Sequence, residues 1–214
     1  MKSNVLKLAF GVSLSIAALG ASAQKNYTEG VATYTVKSAM GDAESKVSFR
    51  GDSSCSSSQY GPAQVKLITN TKGSYFAVLV DVPVASMKKA AVLTPDEIDQ
   101  AVAAAPKLTF TPTTETKQIS GFNCKKIQAK DTKSGASFDA WVTNDISAPT
   151  NIMSKLFDGA GGFPVEFVTL QQGQQVSVSL KSINAEKVPA GTFGVPPGYD
   201  KITYEELMSM RGGN

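Results

Sequence analysis

The chain has 214 residues, with 21 Lys and Arg against 18 Asp and Glu, two cysteines and no histidine. The length suits one domain, or two small ones, and the missing histidine excludes a Ser-His-Asp or Cys-His catalytic unit and any His-ligated zinc or copper. A formal charge of +3 with 18% charged residues is too weak for a protein held on nucleic acid by phosphate neutralisation.

The first 23 residues read as a secretory signal peptide. Lys2 and Lys7 supply the positive end, Leu8 to Leu19 is an apolar run, and Ala21-Ser22-Ala23 is a small-residue cleavage pattern before Gln24. A membrane anchor needs about 20 apolar residues, and this run is shorter. The expected products are a signal peptide, 1–23, and a single β-rich domain, 24–214, periplasmic or secreted from a Gram-negative type envelope. No transmembrane segment is expected after cleavage. Cleavage removes two lysines, so the mature chain is near neutral and has no electrostatic preference for anionic partners.

Export changes the reading of Cys55 and Cys124. An even pair in an oxidising compartment favours a disulfide, which over a loop of about 70 residues contributes on the order of 4 kcal/mol. The alternative is two separate thiols, because spacing does not show whether the two Cα atoms come within about 7 Å. No C-x-x-C occurs, so thioredoxin-like redox chemistry has no support.

Downstream, short strands alternate with turn signals. Gly30 to Lys37 is rich in β-formers. Glu44 to Arg50 places Val47 and Phe49 on one face. Ser53 to Ser58 reads as a linker or a polar edge strand. Val65, Leu67 and Ile68 restart a strand, Asn70 to Gly73 is a turn, and Tyr75 to Val80 is apolar enough to be buried on both faces. A helix is predicted over Pro95 to Ala105. Thr94 and Glu97 form a capping box, Pro95 suits the first helical position, and Ile98, Ala101, Val102 and Ala105 form one stripe.

In the second half, Glu115 to Ile119 and Lys125 to Lys130 flank Gly121-Phe122-Asn123-Cys124. Phe138, Ala140 and Val142 then alternate with Asp139, Trp141 and Thr143. Pro149 opens a predicted short helix with Ile152, Leu156 and Phe157 near one face, followed by the flexible loop Asp158 to Gly162. Val165 to Leu170 and the alternating Val176, Val178 and Leu180 form a hairpin. Pro189 to Gly198 is irregular. Thr203 with Glu206 caps a terminal helix. The expectation is about nine to eleven short strands, joined mainly as antiparallel meanders, with three short helices.

Catalytic and metal chemistry finds little footing, and no cofactor is expected. Asp139, Asp145, Asp158 and Glu166 are scattered rather than paired for hydrolysis. Asp96, Glu97 and Asp99 suit the first turn of a helix. Asp158 to Gly162 lacks the spaced oxygen ligands of a calcium loop, and no phosphate-cradling G-x-x-x-x-G-K-[ST] occurs. Lys88-Lys89 and Lys125-Lys126 are isolated pairs without interleaved aromatics. The candidate ligand-binding residues are Trp141, which either packs beneath a helix or lines a cavity, and Phe157, Phe163 and Phe167. These three surround the glycine loop, either as a lip over such a cavity or as ordinary core.

Three segments carry a family resemblance: Tyr27 to Tyr34; Ile119-Ser120-Gly121-Phe122-Asn123-Cys124-Lys125-Lys126 followed by Asp139-Ala140-Trp141-Val142-Thr143; and Phe193-Gly194-Val195-Pro196-Pro197-Gly198-Tyr199. Together they resemble exported bacterial proteins of the domain-of-unknown-function type, and are similar to the GLPGLI group and the lipoprotein-carrier fold. The resemblance is confined mainly to residues 115–200, and the Ser53–Ser58 stretch departs from it. It implies a mainly β fold, an antiparallel sheet curled into an incomplete barrel with about three short helices packed at the concave side. It also implies a non-catalytic binding role toward a lipid or other hydrophobic ligand. A cell-envelope interaction or structural protein, with an envelope protein as partner and no small ligand, is the alternative.

Overall fold

The computed structural model describes residues 24–211 apart from Met40, Met153, Gln172 and Gly173; the expected signal peptide lies outside the described residues. The chain is mainly β. Hairpins follow one another from β2 (Glu29–Ser38) and β3 (Gly41–Arg50) to β4 (Ser53–Tyr60), β5 (Ala63–Asn70), β6 (Phe76–Val82) and β7 (Met87–Val92). After helix α1 (Pro95–Ala104) come β8 (Leu108–Ile119), β9 (Phe122–Asp131), β10 (Ser137–Thr143), β12 (Phe163–Gln171) and β13 (Gln174–Asn184). The two-residue strands β1 (Lys25–Asn26), β11 (Ile146–Ser147) and β14 (Asp200–Lys201) and the helix α2 (Tyr204–Arg211) complete the elements.

Twelve strands make one sheet in the order β14-β7-β6-β5-β4-β3-β2-β13-β12-β10-β9-β8. Only the short β14–β7 pairing in it is parallel. The chain's middle becomes the sheet's two edges, and its ends meet at the centre, where β2 pairs with β13. The outermost strands, β14 and β8, are not paired with each other, so the sheet is open.

Register fixes two faces. On the inner face Ala32, Tyr34, Val47, Phe49, Val165, Leu180, Ala140 and Ile127 are buried in one continuous cluster. The outer face carries a second, separate cluster of Cys55, Ile68, Ala77, Leu79 and Ala90. Gly30 marks a crowded point on the inner side: a Cβ there would lie 2.1 Å from the Asn184 carbonyl oxygen, and Phe49 packs over the gap.

The sheet must bend. Laid flat, β7 and β8 stand ten strand-to-strand steps apart, about 48 Å at normal spacing. The chain joins them through α1 and a few flanking residues, a link that reaches at most about 38 Å. The capping box reads through as expected: the Thr94 hydroxyl accepts from Glu97 N–H while the Glu97 carboxylate accepts from Thr94 N–H. At the far end Lys133 donates to the Ala103 and Ala105 carbonyls.

Four expectations are corrected. The Ser53–Ser58 stretch is neither linker nor edge but lies within β4, well inside the sheet. Its alternate serines are satisfied by hydroxyls on the neighbouring strands, Ser58 donating to Ser45 of β3 at 2.9 Å and Ser54 pairing with Thr69 of β5 at 2.9 Å. The α1 stripe is mostly uncovered, with Ile98 buried and Val102 66% exposed, because α1 spans the sheet's edges rather than lying along a face. The helix expected from Pro149 does not form. Asn151 and Ser154 bond each other's backbone N–H groups, a local alternative to helix, and only the 3-10 turn Lys155–Phe157 follows before Gly159 takes φ +87°. Two α-helices are therefore present among the described residues instead of three. Finally, β8 starts at Leu108, well before the expected Glu115.

Candidate functional site

The connection from β10 to β12, residues 144–162, forms the candidate site. It leaves β10, pairs β11 in parallel with β1, and turns through Asn151 and Ser154, both buried. Its 3-10 turn drives Phe157 onto the inner face of the sheet. The Phe157 ring lies 4.6 Å from that of Phe167 and 5.8 Å from that of Phe110. Leu156 packs at the rim of the same cluster, and Ala160 and Phe163 are buried in it. The return to β12 passes so close to the sheet that a Cβ on Gly162 would lie 2.9 Å from the Thr143 carbonyl oxygen. Gly159 and Gly161 supply the left-handed turns.

Beneath this segment the hydroxyl of Tyr34 is fully enclosed. Burial pushes its pKa above the ordinary tyrosine value, and the nearby Asn151 side chain partly offsets that rise. The connection is fastened to the sheet by the Asp145 carboxylate, which accepts from the backbone N–H and the side-chain amide of Asn123 on β9, and by a small aromatic cluster. A void of about 20 Å³ lies beside Phe157, lined by Leu108, Phe138, Leu156 and Thr169 among others; a space of that size holds at most a water molecule. On the outer side of the segment an open cleft of about 300 Å³ runs along Ser147, Thr150, Asp158, Gly161 and Phe163.

The candidate residues from the sequence separate into two groups. Phe157, Phe163 and Phe167 share the inner cluster. Trp141 does not join them: Ala140 pairs with Phe167 whereas Trp141 pairs with Glu166, on the opposite face. There Lys117 Nζ sits 4.2 Å from the indole centroid and 2.9 Å from Glu166 Oε1. Lys126, Trp141's partner on β9, bridges Glu115 at 3.0 Å and Asp139 at 2.9 Å. Trp141, partly buried at the margin of the main cluster, is therefore bordered by a charged ladder from β8, β9, β10 and β12. Asp139 and Glu166 are both occupied as ion-pair partners.

The expected Cys55–Cys124 disulfide is not formed; both are buried free thiols. Cys55 belongs to the outer cluster on β4 and Cys124 to the main cluster on β9, six strands away in the sheet order. Burial raises both thiols, that of Cys124 to about 11. Cysteine parity and compartment carry no information on strand order, which decides the matter.

Tyr34, Phe110 and Asn151 are not singled out by the sequence. Tyr34 sits in an evident strand, but nothing in its neighbourhood identifies what covers it. Phe110 is hidden in a threonine-rich run interrupted by Pro112. Among the described residues no group of three or more His, Cys, Asp or Glu side chains is placed to hold a metal ion, and no helix there is long and apolar enough to cross a membrane.

A family model described as "Domain of unknown function (DUF4412)" matches residues 147–199. That stretch contains most of the β10–β12 connection, the β12–β13 hairpin and the segment after it. No curated protein matches the chain. Among solved structures, PNGF-II superposes with a TM-score of 0.50 and 16% identity over 86% of this chain and 33% of its own; this chain thus spans about a third of that protein. An uncharacterised conserved protein from Thermus thermophilus gives a TM-score of 0.50 and 9% identity, covering 82% of this chain and 90% of its own. LprF from Mycobacterium bovis gives 0.34 and 12%, covering 75% and 88%. At these identities the first two likenesses are likenesses of fold.

Proposed function

We propose that this is a non-catalytic binding protein of the periplasm or the secreted fraction. It holds a lipid or other hydrophobic ligand against the inner face of a sheet curled as an incomplete barrel. The carrying observation is Phe157: an aromatic side chain delivered to that face by a turn-and-glycine segment, with the rings of Phe110 on β8 and Phe167 on β12 at 5.8 and 4.6 Å. An apolar chain meets the same surface when the segment withdraws, and Gly159, Gly161 and Gly162 give it the freedom to do so. Beyond β11 the segment is held to the sheet chiefly by side-chain packing around Phe157 and Ala160, so its withdrawal leaves the twelve-stranded sheet in place.

The test is native mass spectrometry of mature protein purified from a periplasm without detergent, followed by solvent extraction. A reproducible added mass matching a lipid, lost on extraction, supports the reading. Removing the Phe157 ring opens the face, so Phe157→Ala is expected to take up more of a fluorescent fatty acid. A clean mass, together with no uptake of fatty acid or phospholipid by either the parent protein or Phe157→Ala, overturns it.

A second reading is favoured by the filled core. With the void between Phe157, Leu108 and Phe138 large enough for no more than a water, the molecule also suits an envelope interaction protein in which the sheet is a scaffold. That reading predicts an envelope protein recovered by cross-linking in cells and no extractable ligand.

A further inference from the structure

We infer that residues 185–199 form a strap that undocks as a unit from the outer face of the sheet while the core around Tyr34, Leu180 and Phe157 stays folded. The inference is independent of any ligand on the inner face.

The strap leaves the end of β13 at the sheet's centre and rejoins it as β14 beyond β7, seven strands away. It therefore crosses the outer side of β2 to β7, a distance of about 34 Å. It contains no strand. Pro189, Pro196 and Pro197 have no N–H to offer a ladder, and its own backbone bonds are local turns, from Thr192 N–H to the Pro189 carbonyl and from Gly194 N–H to the Gly191 carbonyl.

What it covers is separate from the main core. Phe193, Val195 and Tyr199, themselves only partly buried, pack on Cys55, Ile68, Ala77, Leu79 and Ala90, and none of these belongs to the inner cluster. Its ties to the sheet are few and lie near the surface. Glu29 accepts from Val188 N–H at 2.8 Å, and Arg50 donates to the Val188 carbonyl while its guanidinium lies 5.3 Å from the Phe193 ring centroid. Lys88 stands 5.9 Å from the Tyr199 ring centroid. Few buried apolar contacts and surface-exposed polar ties are the marks of a segment that opens below the global unfolding threshold. Opening presents an apolar strip on the side of the sheet away from Phe157, and with it the thiol of Cys55.

The two cysteines provide the experiment, one under the strap and one inside the main core. Mature protein is alkylated with iodoacetamide under native conditions, and each site is followed by peptide mapping, so no cysteine need be replaced. Cys55 is expected to label at least about 100-fold faster than Cys124. Arg50→Ala, which removes the tie to the Val188 carbonyl and the contact with Phe193 but leaves the Glu29 bond to Val188 N–H, is expected to speed Cys55 about tenfold and leave Cys124 unchanged. Equal rates at the two thiols, labelling of neither before global unfolding, or a Cys55 rate indifferent to Arg50→Ala each overturn the strap.

Discussion

Individual residues show where this sheet leaves no latitude. Gly30 pairs with Phe49 across β2 and β3, and the Asn184 carbonyl occupies the place of a side chain. Since that neighbour is backbone and cannot swing away, Gly30→Ala is expected to cost at least about 3 kcal/mol in chemical denaturation, the upper end of overpacking penalties. Ser45 is the hub of a buried hydroxyl chain, accepting from Ser58 at 2.9 Å and lying 3.2 Å from Ser56. Ser45→Ala strands its neighbours without water, at about 1–2 kcal/mol. The pair Ser45→Ala and Ser56→Ala should cost less than the sum of the singles, which a double-mutant cycle measures.

Asp131 is the residue whose charge matters to the fold. Its carboxylate accepts from the Ser134 hydroxyl and from the backbone N–H groups of Lys107 and Lys133. Chiefly the Ser134 bond, then the backbone donors, hold its pKa below the ordinary value. A depressed native pKa means the contribution is complete above the unfolded value of about 3.9 and is lost as pH falls through the native one. Asp131→Asn is therefore expected to be less stable than the parent at neutral pH and to show a shallower loss of stability from about pH 4.5 downward. Equal acid slopes for the two proteins would show that the carboxylate contributes nothing.

At the scale of elements, what is legible follows local signals. Thr94 with Glu97 and Thr203 with Glu206 announce two helix starts, and both boxes are made. Thr94→Ala is expected to lower stability by about 1 kcal/mol in urea titration. The alternation of Val176, Val178 and Leu180 gives β13 its buried face directly. Elements whose signal is not hydrophobic are the ones the sequence hides. β4 has serine on its inner side at 54, 56 and 58, so no apolar rhythm marks it as interior, and its hydroxyl partners lie on neighbouring strands that periodicity does not identify. The Pro149 helix is absent for a related reason: Asn151 and Ser154 match a helix-start pattern, but the glycines at 159, 161 and 162 leave one turn of chain before the backbone must reverse. Of the candidate site, the three phenylalanines are visible because they flank an obvious glycine loop. Their partner Phe110, and the placing of Trp141 on the other face, depend on which strands neighbour which.

The whole molecule is organised by that strand order. The single sheet holds two apolar clusters on opposite faces, one centred on β2, β3, β12 and β13 and the other on β4 to β7. The β8 edge is blunted by Pro112 and by the register shift between Pro112 and Thr116, devices that discourage pairing with another chain. The β7 edge has only the two residues of β14 as neighbour. The inner cluster is assembled from strands near both ends of the described chain, so exchange of the ladder amides beneath it requires most of the sheet to part, even where the Phe157 segment withdraws. The outer cluster is small and is covered mainly by the strap, with Tyr75 beside it. Stability should therefore be graded across one continuous sheet. In native-state hydrogen exchange the amides of β2, β3 and β13 at Ala32, Val47 and Val178 are expected to open only with global unfolding. Those of β6 and β7 at Ala77, Leu79 and Ala90 should open earlier, with an opening free energy that falls further when Arg50→Ala has loosened the strap. Uniform protection across all six amides would mean that hydrogen bonding along the ladder couples the two halves more strongly than side-chain packing divides them, and that the sheet unfolds as one unit in spite of its two cores.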